Sequence, residues 1–187
     1  MAAKLTFRNG RFTIVTTVGV SVECPQRLVS RVDYSQGKVT YLSDLDPVKT
    51  TETSNVEAIE HYRRDRNLDN GPLQLTTTVD GRAEAQTFAK GLAIHATAEM
   101  VYDVGGQYKE LKGLVGVDPG VGGDSQVRVV IEGDGRELFA ADVRRGHDVH
   151  KLDCDVKNVR QLRITVRPVG FLDLGNHVNL ADARLVK

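Results

Sequence analysis

The sequence contains no tryptophan, no excess charge of either sign and no long hydrophobic run. Among its 187 residues, Lys and Arg number 25 and Asp and Glu also number 25, so the formal net charge is zero. Nucleic acids and anionic membrane surfaces attract basic proteins, which argues against both as the main partner. A membrane helix needs about 18 consecutive apolar residues, and the most apolar early segment, 12–22, is interrupted by Thr16 and Gly19. We therefore expect neither nucleic-acid binding nor membrane insertion.

Cysteine is also scarce, with Cys24 and Cys154 far apart and outside any Cys-x-x-Cys spacing. Both lie in strand-like runs, which predicts two buried, reduced thiols that pack as small hydrophobes. The alternative, a disulfide between them, requires a fold that brings their Cα atoms within about 7 Å. The first residues, Met-Ala-Ala-Lys, carry no secretory hydrophobic region. That start fits either a cytosolic protein or a domain of a longer exported one.

The residues that are abundant favour strands. The chain has 26 Val, 14 Thr and only 13 Ala, and β-branched side chains pack well on a pleated surface. The clearest hairpin joins alternating runs at 127–131 and 136–143 through Gly133-Asp134-Gly135. The nearly continuous apolar run 111–117 is typical of a strand buried on both faces. Many short strands with a turn every ten or so residues predict an all-β, two-sheet jelly-roll β-sandwich.

Two segments fit this pattern less well. Near the N-terminus, alternating or strand-like runs occur at 12–22, 28–34 and 38–42, separated by Pro25 and by the turn Ser35-Gln36-Gly37, and they predict a small β-meander. The polar stretch 43–90 contains Ser54 followed by Glu57, a capping-box pattern that predicts a short helix over 55–62.

Motifs for catalysis are missing. The sequence has no Gly-x-Ser-x-Gly elbow, no His-Glu-x-x-His pair and no phosphate-binding loop. No set of residues can be named as a reacting constellation. An enzyme is therefore the least favoured of the functions considered.

Five short motifs then occur in order at natural spacings and resemble the NPCBM family of carbohydrate-binding modules. The family pattern contains a "KGLGxHA" strand, a "YDL" strand, a "GVD" strand end, a "DGK" hairpin and a closing "DHADWADARL" strand. The matching stretches here are 90–96, 101–104, 116–118, 133–135 and 176–185. Tyr41 to Pro47, Asp65 to Asn67 and Gly71 to Leu73 also resemble the lead-in of bacterial members.

The resemblance implies a galactose-binding-like β-sandwich that holds glycan without catalysing a reaction, with galactose-type sugars as the expected ligands. It implies a domain over 28–187 preceded by a short β extension over 1–27. Members are accessory modules of exported bacterial proteins, so the expected location is extracellular or periplasmic, and other domains of a longer parent protein are expected partners. No cofactor is required, although a structural calcium ion at Asp118 and Asp124 is an option, since carboxylates and carbonyls in a glycine-rich loop suit that ion.

The residues expected to contact the sugar are His95, Asn176, His177 and Asn179. His95 and Asp118 could instead fix strand ends inside the sandwich, because each adjoins apolar strand residues.

The chain departs from the family pattern in its closing strand. The Trp of the motif is Leu180, and its two leading Asp positions are Asn176 and Asn179. Asn still donates and accepts hydrogen bonds, but an aromatic face against the sugar ring is missing at this position. If that Trp is a stacking platform, the alternative is a structural or protein-interaction β-sandwich that has lost sugar binding. If it is a core residue, Leu fills its place.

Overall fold

A computed structural model of the chain describes residues 2–29, 38–54, 61–79, 82–146, 149–170 and 175–187. Within these ranges the secondary structure is all strand apart from two single-turn 3-10 helices at Gln26–Leu28 and Leu42–Asp44. The strands are β1 (Ala2–Arg8), β2 (Arg11–Thr16), β3 (Ser21–Pro25), β4 (Val39–Tyr41), β5 (Lys49–Glu52), β6 (Arg63–Arg64), β7 (Leu73–Val79), β8 (Arg82–Phe88), β9 (Gly91–His95), β10 (Ala98–Asp103), β11 (Glu110–Val117), β12 (Gln126–Gly133), β13 (Arg136–Arg144), β14 (His150–Asp155), β15 (Gln161–Pro168) and β16 (His177–Val186).

The chain divides into two compact units, Met1–Gln36 and Gly37–Lys187. The first is an antiparallel sheet in the order β1-β2-β3. The predicted meander over 12–42 differs from it, because the run 28–34 falls mainly outside the described residues and the last run forms β4, which pairs with β16. Its β2–β3 connection closes through hydrogen bonds between Thr16 and Val20, with Gly19 at a φ of 85°. The boundary expected between residues 27 and 28 stays a prediction.

The second unit is the predicted β-sandwich. One sheet has five strands in the order β13-β12-β15-β10-β5. The other has six strands, with the order β14-β11-β16-β9-β6 and β4 paired to β16. All described pairings within both sheets are antiparallel. The main core lies between these sheets and contains fully buried residues such as Met100, Ile131 and Leu180.

The hairpin predicted around Gly133-Asp134-Gly135 is β12–β13. Asp134 and Gly135 form its two-residue turn and have φ angles of 49° and 81°. Two successive positive φ angles match the twist of the flanking strands, which explains the preference for Asp-Gly there. The Asp134 carboxylate also accepts the backbone N–H groups of Arg160 and Gln161. The turn is thereby attached to the start of β15.

The hairpin β7–β8 was not predicted from the sequence. Leu73 and Leu75 of β7 are fully buried against Ala93 and Ala181, in a second cluster on the outer face of the six-stranded sheet. Leu114 of β11 packs against the same cluster. This hairpin is the reason that β11 is covered on both faces, as its apolar run indicated.

Several smaller expectations have mixed outcomes. Cys154 is buried and Cys24 is half-buried, and both are free thiols. Burial raises the pKa of the Cys154 thiol, which keeps it protonated. The predicted helix over 55–62 falls mainly on residues outside the described ranges. No helix in the described part of the chain is long and apolar enough to cross a membrane.

Candidate functional site

The residues expected to bind sugar lie at one end of the six-stranded sheet, where β9 ends and β16 begins. Because side chains alternate along a strand, Val178 and Leu180 enter the main core between the sheets. His177 and Asn179 therefore face the opposite side, where Ala181 packs beneath β7. The closing strand thus carries an apolar face inside the sandwich and a polar patch on the outer face.

His95 and His177 form a direct cross-strand pair on this outer face. Their rings meet edge to face with centroids 5.4 Å apart. The preceding residue, Asn176, accepts a hydrogen bond from the Ser125 hydroxyl through its side-chain oxygen at 2.9 Å. Its backbone carbonyl accepts the N–H of Ala96, so the ends of the two strands are closed together.

Asp118 and Asn179 connect this strand end to the neighbouring loop and to β7. The Asn179 amide donates to one Asp118 carboxylate oxygen at 3.1 Å and to the carbonyl of Gln74 at 2.9 Å. The other Asp118 oxygen accepts the N–H of Gly120 at 2.8 Å, which shapes the glycine-rich loop. Gly116 lies opposite Asn179, and a Cβ there would stand 2.7 Å from Leu75.

All five of these residues are buried. The exposed fractions are 4% for His95, 3% for Asn176, 9% for His177 and 0% for Asn179, and Asp118 has 3%. Buried polar groups are usually hydrogen-bonded, and the contacts above supply such bonds for Asp118, Asn176 and the Asn179 amide. Within the described part of the chain, the Asn179 side-chain oxygen and one ring nitrogen each of His95 and His177 are buried without a hydrogen bond. We call these five residues the buried polar cluster. Their contacts indicate that the cluster holds the neighbouring glycine-rich loop in position. Direct contact between a sugar and any of the four predicted residues stays a prediction.

A pocket of about 430 Å³ opens beside the cluster. Its lining residues are Thr76, Pro119, Gly123, Asp124, Arg145 and Gly146. Asp124 and Arg145 are exposed, and each is a charged group that can exchange hydrogen bonds with a polar ligand.

The cluster holds three parts of the pocket wall. Pro119 follows Asp118 directly, and Thr76 lies two positions beyond Gln74, which accepts the bond from Asn179. The backbone N–H of Arg145 bonds the carbonyl of Ser125, whose hydroxyl bonds Asn176. The buried residues therefore set the positions of the exposed ones.

A calcium ion at Asp118 and Asp124 has weak support from this geometry. Calcium takes six to eight oxygen ligands, whereas both Asp118 carboxylate oxygens already accept N–H bonds. Among the residues that the structure describes, no group of three or more His, Cys, Asp or Glu side chains could hold a metal ion. The residues present do not themselves form a calcium shell, and the site stays a prediction.

Leu180, at the position of the family's Trp, belongs to the core. It is fully buried and pairs with Val115 on one side and Leu92 on the other. A larger side chain here would enter the space between the sheets and would not reach a ligand on the outer face. Tyr108 is also buried, and its hydroxyl donates a hydrogen bond to Thr40.

Lys90, Asp44 and Asp65 form an ion cluster at the other end of β9 that the sequence did not predict. The Lys90 amine bonds both carboxylates, at 2.6 Å in the case of Asp65, and lies 5.8 Å from the centre of the Tyr41 ring. Burial opposes ionisation, but the bonds from Lys90 and from the Gly91 N–H outweigh it and lower the pKa of Asp65. The three residues come from three separate motifs of the family pattern, at 41–47, 65–67 and 90–96. The presence of all three motifs in one sequence was the signal from which this cluster could have been predicted.

This architecture defines the class of the protein: a galactose-binding-like β-sandwich whose polar cluster and pocket lie at the end of one sheet. The sequence pattern of the NPCBM/NEW2 domain matches residues 38–186. The chain therefore belongs to the NPCBM/NEW2 family of carbohydrate-binding modules. No curated protein matches the chain.

Solved structures with a similar fold include several CBM51 modules. The CBM51 module of Clostridium perfringens GH95, in complex with methyl-galactose, superposes with a TM-score of 0.70 at 20% identity, covering 79% of this chain and 99% of that one. CBM51-2 with the INT domains of Clostridium perfringens ZmpB, in complex with GlcNAc, gives 0.69 at 22% identity and covers 100% of this chain but only 40% of that one. The tandem CBM51 modules of Sp3GH98 from Streptococcus pneumoniae SP3-BS71 give 0.70 at 20% identity, with coverages of 80% and 47%. At these identities the likeness shows a shared fold.

Proposed function

We propose that this chain is a non-catalytic carbohydrate-binding module that takes a galactose-type sugar in the pocket beside the buried polar cluster. The observation that carries the proposal is the pairing of exposed Asp124 and Arg145 in one pocket whose wall is fixed from beneath. A carboxylate accepts hydrogen bonds from hydroxyl groups, and a guanidinium donates to hydroxyl oxygens. Sugars offer both kinds of group on adjacent carbons.

In this proposal, the main role of the four residues predicted to bind sugar is to hold the pocket wall in position. His177 is the most exposed of them at 9%, and all four are buried. Asn176 and Asn179 act through Ser125, Asp118 and Gln74. A preformed wall lowers the entropy cost of binding because fewer groups must be ordered when the sugar arrives.

The affinity should be low. Sugar rings usually gain much of their binding energy by stacking on an aromatic face, and none of the lining residues within the described part of the chain is aromatic. Pro119 supplies the main apolar surface there. We expect a millimolar dissociation constant, equivalent to about −4 kcal/mol.

Calorimetric titration of the full chain with methyl galactoside tests the proposal. We expect saturable binding that weakens at least tenfold in Asp124→Ala and in Arg145→Ala. Asp69→Ala and Arg66→Ala are matched controls, because both residues are exposed and lie in another loop. Absence of saturation at tens of millimolar sugar, with a sample that unfolds cooperatively, would overturn the proposal. The protein-interaction sandwich that has lost its sugar would then be the better description.

We further propose that the module serves as an accessory domain of an exported bacterial protein. Support comes from the neighbours of similar fold, which include a chain combining CBM51 modules with an M60 catalytic domain in Clostridium perfringens ZmpB. Fusion to such a partner would raise the local concentration of a weak sugar binder at a glycan surface. Detection of the mature parent protein in the culture medium of its source bacterium tests this location, and a strictly cytosolic parent would contradict it.

A further inference from the structure

The outer face of the five-stranded sheet carries a polar concavity that the proposed sugar pocket does not use. A pocket of about 260 Å³ lies across β5, β10 and β15. Its lining residues are Lys49, Thr51, Thr53, Thr97, Ala98, Glu99, Thr165 and Arg167. Four threonines among these supply hydroxyl groups at the surface, so the concavity suits a hydroxyl-rich ligand.

Strand register extends this concavity into a shallow groove across the sheet. Thr51, Glu99, Thr165, Val130 and Ala140 occupy one row across the five strands, as successive cross-strand partners. Neighbouring strands are about 4.8 Å apart, so the row spans about 19 Å. Small side chains along most of this row leave a path between two rows of long charged residues.

The two flanking rows differ in charge. On one side, Lys49 and Arg163 lie 3.2 Å and 3.6 Å from the carboxylate of Glu99 in the central row, and Arg163 also lies 3.9 Å from Glu132 of its own row. The two cations of that flanking row are therefore balanced by Glu132 and by Glu99 in the groove. A row of this kind contributes little net field at the surface.

The other row has an excess of positive charge. Arg128 and Arg167 are direct cross-strand partners and both are exposed. Arg128 contacts Asp142 at 3.1 Å, whereas Arg167 has no ion pair among the residues that the structure describes. Like charges directly opposite each other destabilise a sheet. An anionic group bound between the two guanidinium groups would relieve this repulsion.

We propose that this groove is a second binding site and that it takes an anionic polysaccharide, a chain of uronic acid units. The carboxylates of the polymer would bind between Arg128 and Arg167, and its hydroxyl groups would meet Thr51 and Thr165. This inference rests on the proposed carbohydrate-binding function but concerns a different face. It explains why a pair of arginines stands opposite each other beside a threonine-lined groove.

Affinity electrophoresis of the full chain tests the site, with polygalacturonate or neutral galactan in the gel. At low salt we expect polygalacturonate to retard the wild-type protein and the Arg167→Gln variant to bind at least fivefold more weakly. Arg66→Gln, which changes the net charge equally in a loop beside the other sheet, should behave as wild type. Retardation should fade at 0.3 M NaCl, about twice physiological ionic strength.

A melting-temperature measurement and two binding controls test the proposal independently. In the absence of polymer, Arg167→Gln should raise the melting temperature at low salt, because it removes the repulsion. Equal retardation of Arg167→Gln and Arg66→Gln, or equally tight binding of single-stranded DNA, would overturn the proposal. Asp124→Ala should lose methyl galactoside and keep polygalacturonate, so failure of the sugar pocket and failure of the groove are distinguishable.

Discussion

At the scale of single residues, strand alternation assigns opposite roles to neighbours in the closing strand. Leu180 packs in the core while Asn179 bonds Asp118 on the outer face. The sequence pattern placed Asn179 in a sugar site and left Leu180 open between a stacking position and a core position, because the pattern shows which residues recur and not which face they occupy. The two residues pack on opposite faces of the strand, and a substitution at each position tests its role.

Restoring the family's aromatic residue with Leu180→Trp should destabilise the protein without creating sugar affinity. The position is fully buried, and overpacking a filled core costs about 1–3 kcal/mol. Thermal and urea denaturation would measure the loss, with Leu180→Met as the volume-conserving control. Unchanged stability together with tighter methyl galactoside binding would show that the position is a stacking platform.

The Asn179→Asp variant should be destabilised in a pH-dependent way. It would place a second carboxylate 3.1 Å from the buried Asp118 oxygen, at a cost of about 3 kcal/mol near neutral pH. Repulsion raises the folded-state pKa of the new carboxyl above its unfolded value of about 3.9. The cost should therefore be small below that value and grow as pH rises through the folded pKa.

Urea unfolding in EDTA at pH 4 and pH 7.5 would measure this dependence. Asn70→Asp, at an exposed turn position, is the control and should show little change at either pH. An Asn179→Asp cost that is equal at both pH values would contradict the electrostatic explanation.

At the scale of elements, local patterns predicted the strands that close on near neighbours. The β12–β13 hairpin was predictable because Asp134-Gly135 is a turn signal between two alternating runs. The β7–β8 hairpin was missed, although Asp80-Gly81 separates two strand-like runs in the same way. Its polar outer strand resembles a loop in composition, and the burial of Leu73 and Leu75 depends on tertiary contacts with β9 and β16. The pocket was unpredictable for the same reason, since its lining comes from three separate loops and strands.

The ion cluster at the start of β9 connects elements that no local pattern joins, and Asp65→Asn tests its contribution. Asn keeps the positive φ of 60° that Asp65 adopts, so the change mainly removes charge. Because the pair is partly exposed, we expect a loss of about 1 kcal/mol at pH 7. The folded pKa of Asp65 is lowered, so its contribution is present above the unfolded pKa of about 3.9 and is lost as pH falls through the folded value.

Chemical denaturation of Asp65→Asn and wild type between pH 3 and pH 7 checks the sign. The two stabilities should converge at the acid end. Asp69→Asn, exposed in the same loop, should match wild type throughout. A difference that persists unchanged at pH 3 would rule out the ion pair as its cause.

At the scale of the whole molecule, the buried core belongs to one unit. Every residue of the two hydrophobic clusters lies between Leu42 and Leu185. In the N-terminal sheet, by contrast, no residue from 4 to 29 is buried, and Phe7 and Val20 are 50% and 54% exposed. A three-stranded sheet without a buried face is at best marginally stable alone. The energy that holds the sandwich therefore comes from residues 37–187.

Truncation to residues 37–187 should leave a folded module. We expect its melting temperature to stay within about 4 °C of the full chain, the shift that a change of about 1 kcal/mol produces in a domain of this size. Methyl galactoside and polygalacturonate binding should also persist, because both proposed sites consist of residues beyond Gly37. The peptide 1–36 alone should show the circular dichroism of an unfolded chain. A truncated module that melts more than 10 °C lower, or that no longer unfolds cooperatively, would show that the N-terminal sheet is part of the folding unit.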